Sequence, residues 1–214
     1  MTDIQIKTKE NILQETDKNI PLSSITFNRS WVFWESYTAK DKKLEYEESN
    51  KQIFEWNDII TFFQFWNSYP GNDAKNIFFN GNRVIYFFEE KYRIIAMNVF
   101  EKGIRPEWED INNKNGNIMT LEYIVDSGID IFLPKVNDLW TKLLFYLIGE
   151  TLPFSNNING IRFCDKTKFG YNKNVIFKFE LWANSSMKNE ELEELKKQLT
   201  SEFGCSAIIK PIKK

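Results

Sequence analysis

The order of apolar and polar positions changes period several times along this chain, and each change marks an element. Residues 1–25 are polar and aperiodic and read as a flexible tail before one domain spanning 26–214. From Thr26 the run TFNRSWVFWESYT is dense in aromatic and β-branched residues, which suit a pleated surface, and it predicts a strand. LEYEESNKQIFEW predicts a second strand after the polar turn AKDKK. In NDIITFFQFWNSYPG the period lengthens. Ile59, Phe62, Phe63 and Trp66 recur at helical spacing, Asn57 or Asp58 is placed to cap, and Pro70-Gly71 stops the run, so a helix of about three turns is expected.

GNDAKNIFFNGN carries turn chemistry and reads as a loop, and RVIYFFEEKYRIIAMNVF as a hairpin broken at Glu89-Glu90-Lys91. KGIRPEWEDINNKNGN is a loop and IMTLEYIVD a strand. PKVNDLWTKLLFYLIGE sets Leu139, Trp140, Leu143, Leu144 and Leu147 on one helical stripe that ends at Gly149. INGIRFCDK and NVIFKFELWA are strands around the polar turn TKFGYNK. NEELEELKKQLTSEFG gives the clearest helix, with Leu192, Leu195, Leu199 and Phe203 in a stripe, Glu193 supporting Lys197 at i+4, and Gly204 ending it. CSAIIKPI is a last short strand. About seven or eight strands with three helices between strand groups imply an α+β domain, an antiparallel sheet with helices on one face.

Strict alternation in NVIFKFELWA sends Phe177, Phe179 and Leu181 to one face and Lys178, Glu180 and Trp182 to the other. In GIRFCDK, Ile161 and Phe163 oppose Arg162, Cys164 and Lys166. If these strands pair, Lys166 and Lys178 come together on the open face, where two cations favour a phosphate chain. An ordinary solvated strand face produces the same pattern.

Composition narrows the chemistry. The chain has 214 residues and no histidine, which removes imidazole bases, Ser-His-Asp and Cys-His nucleophile systems and His-bearing metal sites. Two cysteines, Cys164 and Cys205, are too few for a zinc cluster and read as reduced thiols. A net charge of −2 argues against a globally basic nucleic-acid binder while allowing a local cationic patch. Neither a signal-peptide pattern nor an apolar run of membrane length is present, so a soluble cytoplasmic or nuclear protein is expected, with no membrane partner.

Seven tryptophans exceed what one small core needs. Trp108 stands in EWED, between charged neighbours and bracketed by Gly103, Pro106 and Gly116. An indole beside a carboxylate can stack on a base while the acid accepts hydrogen bonds from the base edge, a pairing that selects guanine N1–H and N2–H₂. A tryptophan plugging the loop against the sheet is the alternative.

With these segments in view, the chain resembles the eukaryotic translation initiation factor 4E family of mRNA cap-binding proteins, over roughly residues 27–210. GIRPEWED, WTKLLFYLIGE, KFELWA and the helix ending SEFG carry the likeness, with Trp31-x-x-Trp34 and NDIITFFQFW completing the order. The resemblance implies a curved antiparallel sheet of about eight strands with three helices on its convex back. The implied ligand is the 7-methylguanosine 5' cap of mRNA, whose methylated, positively charged ring is sandwiched by two aromatic rings. It makes Trp108 one of these rings and Tyr46, where most members have Trp, the other. Glu109 aligns with the acid on the guanine edge, Trp182 with the contact to the N7 methyl, and Lys166 and Lys178 with the phosphate ligands.

Two positions depart from the pattern: Cys164 replaces a frequent Asn, and Asn117 or Ile118 a frequent Arg. On the convex side the resemblance implies a groove for a helix of a scaffold initiation factor or a 4E-binding repressor, at Ile59, Phe63, Thr141, Lys142 and Phe145. Phe63 replaces a Trp there and Lys142 an acid. The segment from Asn67 to Trp108 is longer than the family pattern and is expected to add a strand or flap. The expectation is a monomeric, non-enzymatic translation initiation factor without cofactor or metal. A cap-binding translational repressor of the same fold is the alternative, and a metal-dependent hydrolase using Glu107, Glu109 and Asp110 a more distant one.

Overall fold

The computed structural model describes Pro21 and residues 25–40, 44–80, 83–84, 91–125, 129–167 and 175–212; at positions 46, 47, 80, 83, 84, 125 and 129–131 it describes the backbone alone. The expected 1–25 tail lies outside the described residues except at Pro21 and Ile25. In chain order the elements are β1 (Thr26–Ala39), α1 (Tyr46–Ser49), β2 (Asn50–Asp58), α2 (Ile59–Ser68), α3 (Ala74–Phe78), β3 (Phe79–Asn80), β4 (Arg83–Val84), β5 (Tyr92–Glu101), β6 (Asn117–Val125), α4 (Ile129–Ile148), β7 (Ile158–Asp165), β8 (Val175–Ala183), α5 (Asn189–Phe203) and β9 (Ala207–Pro211). Seven strands form one sheet in the order β2-β1-β5-β7-β8-β6-β9, every neighbour antiparallel. β3 and β4 make a separate two-stranded ribbon.

Alternation assigns the faces as expected. Phe163 pairs with Phe179 and Ile161 with Leu181, and these four join Trp31, Phe33, Met97 and Met119 in one buried cluster. The stripes Phe62, Phe65 and Trp66 of α2, Leu139, Trp140, Leu143 and Leu144 of α4, and Leu192, Leu195 and Leu199 of α5 enter the same cluster, so the three long helices cover one face. Each such side chain contributes about 1.5–3 kcal/mol by leaving water. Trp31, Trp56, Trp66 and Trp140 are spent on this core.

The helix ends follow local chemistry. Asp58 caps α2, its Oδ1 accepting from Thr61 N at 2.8 Å, so of the two candidate caps Asp58 is used. Gly204 ends α5 at φ 63°. Glu193 pairs with Lys196 at 3.2 Å, one residue short of the expected Lys197.

Several expectations are corrected. The second strand starts at Asn50, because Tyr46–Ser49 closes a helical turn in which the Glu45 carbonyl accepts from Glu48 N and Ser49 N. Part of the expected loop GNDAKNIFFNGN is α3. Asp73 accepts from Lys75 N at 2.9 Å as its cap, and Ala74, Ile77 and Phe78 are buried at i, i+3 and i+4. The expected hairpin over 83–100 is replaced: Arg83–Val84 pairs with Phe79–Asn80, and Tyr92–Glu101 pairs with β1 and β7. Within the Asn67–Trp108 segment, expected to hold a strand or flap, the structure places α3 and the ribbon. α4 begins at Ile129, with Pro134 inside it. Among the described residues no helix is long and apolar enough to cross a membrane.

One ion cluster ties the ends of the sheet to the helices. Arg29 donates to Glu150 (2.7 Å), Glu101 (3.1 Å), the Ile158 carbonyl (2.9 Å) and the Ser155 carbonyl (3.1 Å), and its guanidinium lies 4.5 Å from the Trp31 ring. Glu150 adopts φ 52°, a left-handed backbone that these bonds hold in place. Burial raises the Glu150 pKa, but hydrogen bonds from Asn28 and Arg29 and the Arg29 charge outweigh it and leave it below its ordinary value. A depressed carboxylate stabilises the fold fully above its unfolded pKa and loses that contribution as pH falls through the folded one. Arg29→Ala is therefore expected to cost about 2–4 kcal/mol in urea unfolding at neutral pH. The deficit should shrink as pH drops below the ordinary glutamate range, whereas a deficit independent of pH contradicts the clamp.

Candidate functional site

The open face of the sheet is built in rungs, because paired residues on adjacent antiparallel strands point the same way. The first rung is apolar: Phe100 pairs with Gly160, Gly160 with Trp182, and Trp182 with Ile118. A Cβ on Gly160 would stand 2.5 Å from Phe100 Cγ and from the Val99 carbonyl oxygen. The bare glycine lets the Phe100 and Trp182 rings meet across it, edge to face at 5.6 Å. Ile104 and Ile212 close over this pair, so Trp182 is on the open side, as alternation predicts, yet only 2% exposed. Its expected open exposure is the part that fails, since alternation alone carries no information about the residues that fold over a face.

The second rung is polar. Arg162 Nε donates to Asn98 Oδ1 (2.8 Å), Arg162 Nη1 lies 3.4 Å from Glu180 Oε2, and Trp182 Nε1 donates to the same carboxylate oxygen (3.3 Å). Asn98 Nδ2 donates to Ser36 Oγ (3.0 Å), and Ser36 donates to Asn50 Oδ1 (2.6 Å). Arg162 is thereby committed to the floor.

The third rung sets Cys164, Lys178 and Glu122 side by side. Burial pushes the Cys164 thiol up to about 11, so this position contributes a neutral side chain. Lys166 lies two residues beyond Cys164, and its backbone N donates to the Ile176 carbonyl (2.8 Å). That register makes Lys166 and Lys178 diagonal neighbours on the same face, as the sequence implies. Lys178 Nζ is 2.6 Å from Glu122 Oε2.

Trp108 and Glu109 stand on the loop between β5 and β6, where Arg105, Glu107, Asp110, Asn112 and Asn113 bond to one another. Asp110 accepts from Arg105 N (2.9 Å), Asn112 N (2.8 Å) and Asn112 Nδ2 (3.0 Å). Asn113, 0% exposed, donates from Nδ2 to the Arg105 and Glu107 carbonyls, both at 2.8 Å. Its Oδ1 accepts from Asn159 Nδ2 of β7 (2.9 Å), which also donates to the Asn112 carbonyl (2.8 Å). Glu107 pairs with Arg105 at 3.1 Å. Gly116 closes the loop against β8, where a Cβ would lie 2.1 Å from the Ala183 carbonyl oxygen.

Trp108, 47% exposed, is turned outward with Glu109 beside it, and Ile111, 77% exposed, is outward on the same loop. Asp110 and Glu107, expected in one reading as metal ligands, are engaged within the loop. Sequence reasoning did not find Asn113, Asn159 or Gly160; an Asn-rich loop ending in Gly was the one available signal.

The β1–β2 connection carrying Tyr46 leaves from the Ala39 end of β1, while the Trp108 loop leaves from the end where Trp31 pairs with Glu101. The backbone of Tyr46 lies in α1, and its side chain is outside what is described.

On the helix-covered side, Phe63 and Phe145 are each 40% exposed, with ring centroids 6.2 Å apart. With Ile59, Phe27, Phe62 and Ile148 they line a hollow of about 190 Å³. Lys142 turns instead to Glu202 of α5, at 2.8 Å, and Thr141 is half-buried.

A family model described as eukaryotic initiation factor 4E matches residues 26–208. The chain belongs to the eukaryotic initiation factor 4E family. It is 27% identical over 135 residues to eukaryotic translation initiation factor 4E of Candida albicans, covering 63% of this chain and 56% of that protein. It is 24% identical over 168 residues to factor 4E-1 of Schizosaccharomyces pombe, covering 78% and 64%. The aligned region thus spans under two thirds of either relative.

Among solved structures, C. elegans eIF4E-3 in complex with the 4E-binding protein Mextli superposes with a TM-score of 0.61 at 17% identity, over 84% of this chain and 87% of that one. Ascaris suum eIF4E-3 in complex with the m7G cap gives 0.60 at 18% identity, over 87% and 91%. These structures share the fold, a curved antiparallel sheet backed by helices.

The loop network makes a direct prediction. Asn113→Ala removes two donors and an acceptor from a dry site and is expected to cost about 2–3 kcal/mol by urea unfolding. Acrylamide should then quench Trp108 more readily than in the wild type, with Trp108→Phe as the reference that isolates its signal. Unchanged stability and quenching would show that the loop holds its shape by other means.

Proposed function

We propose that this chain binds the 7-methylguanosine cap of mRNA and, as a non-enzymatic factor, brings capped mRNA to translation initiation in the cytoplasm, acting as a monomer. The observation that carries this reading is the Trp108–Glu109 pair, presented outward by a loop whose neighbouring acids and amides are engaged internally. Methylation at N7 puts a positive charge on guanine, so the Trp108 face gains cation–π attraction in addition to stacking. Tyr46 supplies the second ring, coming from the opposite end of β1. Glu109 accepts from guanine N1–H and N2–H₂, and Lys166 and Lys178 take the phosphates.

Trp182, covered by Phe100, Ile104 and Ile212, forms the floor beneath the methylated edge. Support comes also from the Ascaris suum relative, whose structure is a complex with the m7G cap. On the opposite face, the exposed Phe63–Phe145 pair and Ile59 receive an apolar helix of a scaffold initiation factor or a 4E-binding repressor, with Thr141 and Lys142 at its border. The C. elegans relative, in complex with a 4E-binding protein, supports this part.

Fluorescence titration tests the proposal. 7-Methyl-GTP is expected to quench emission and bind at least about tenfold tighter than GTP, the ratio that one added cation–π contact implies. Trp108→Ala should abolish the response with little change in melting temperature, because the side chain is about half exposed and lies outside the buried core. Equal affinities for the two nucleotides would refute cap recognition. Protein retained on 7-methyl-GTP resin should also hold an apolar helical peptide, and Phe145→Ala should release it.

A further inference from the structure

On the open face each of two cations has a carboxylate opposite it: Arg162 faces Glu180, and Lys178 faces Glu122. Lys166 forms no ion pair among the described residues. The two pairs are unlike. Arg162 and Glu180 lie in the floor, cross-linked to Asn98 and to Trp182 Nε1. Lys178 and Glu122 are part-exposed, 2.6 Å apart, and, among the described residues, joined only to each other. The pairing of β9 with β6 ends at Leu121, one residue before Glu122, so among the described residues no strand flanks the outer side of this residue. An anion approaching Lys178 meets Glu122 already in the place it would occupy.

We infer that Glu122 is a specificity-determining residue, which competes with the ligand's phosphate chain for Lys178 and so lowers the share of binding that the phosphates supply. This rests on the cap-binding reading. A phosphate gains a charge-assisted bond to Lys178 only by breaking the existing pair, and it then lies near an uncompensated carboxylate. Within the Arg162 and Lys178 rungs and the adjoining Lys166, three cations stand against Glu122 and Glu180, a local net charge of about +1 for a polyanion. Recognition therefore depends on the stacked base more than on the phosphates, and this protein discriminates weakly between caps that differ in phosphate number.

The test compares wild type with Glu122→Gln, which keeps shape and removes the charge, against 7-methylguanosine, 7-methyl-GMP and 7-methyl-GTP by fluorescence titration. The variant is expected to bind 7-methyl-GTP roughly 1.5- to fivefold tighter at low salt, the range that an exposed ion pair implies. Its affinity for the nucleoside should be unchanged, and its salt dependence should steepen. The gain should vanish in the Lys178→Ala background, which separates competition for that lysine from a general change in field. Binding of all three ligands with no gain, or with an equal gain for the nucleoside, overturns the inference and leaves cap recognition standing. Failure of both proteins to bind any methylated ligand overturns the two together.

Discussion

An exposed tryptophan on a long loop is useful only if the loop keeps one shape in water, and here that shape depends on the buried carboxamide of Asn113. Its donors satisfy two carbonyls of the loop and its acceptor takes a bond from Asn159 on β7, so one side chain joins the loop to itself and to the sheet. Asp110 does the same for three N–H donors. Polar groups that would otherwise reach into solvent are thus paired, and such a network rigidifies because each lost partner strands a buried group. Trp108 and Glu109 have no part in this network and are exposed.

The open face applies the same logic at larger scale. A glycine at position 160 is what allows Phe100 and Trp182 to touch, and their contact is the surface on which Ile104, at the root of the loop, and Ile212 settle. Farther along, Arg162 is fixed between Asn98 and Glu180 and stiffens the floor. Lys166 and Lys178 lie beyond it on the same face, and Lys178 is paired with Glu122. On the proposed reading, the site combines an aromatic recognition element on a braced loop with a weakly charged phosphate region.

Much of this was legible in the residues. Period-two alternation in NVIFKFELWA assigned the faces correctly, the leucine stripe of α5 followed from spacing, and the cap of α2 was narrowed to Asn57 or Asp58, of which Asp58 is used. The isolation of Trp108 among charges predicted its exposure. What pattern could not supply was contact between segments distant in sequence. The burial of Trp182 depends on Phe100, Ile104 and Ile212, and the role of Asn113 on Asn159, 46 positions away. α3 was misread because Gly, Asn and Asp signal a turn, although Asp73 serves as a cap and Ala74, Ile77 and Phe78 carry a helical stripe. Glu45–Ser49 was misread because a helical turn that short has no period to detect.

The central claim is that the methylated base lies against the Trp108 ring. Intermolecular nuclear Overhauser effects from the N7-methyl protons of 7-methyl-GTP locate that base directly. The geometry predicts cross-peaks to the ring protons of Trp108, lost in Trp108→Phe and retained in Glu122→Gln. Cross-peaks confined to aromatic rings elsewhere, such as Tyr37 and Tyr92, with none to Trp108, would contradict it.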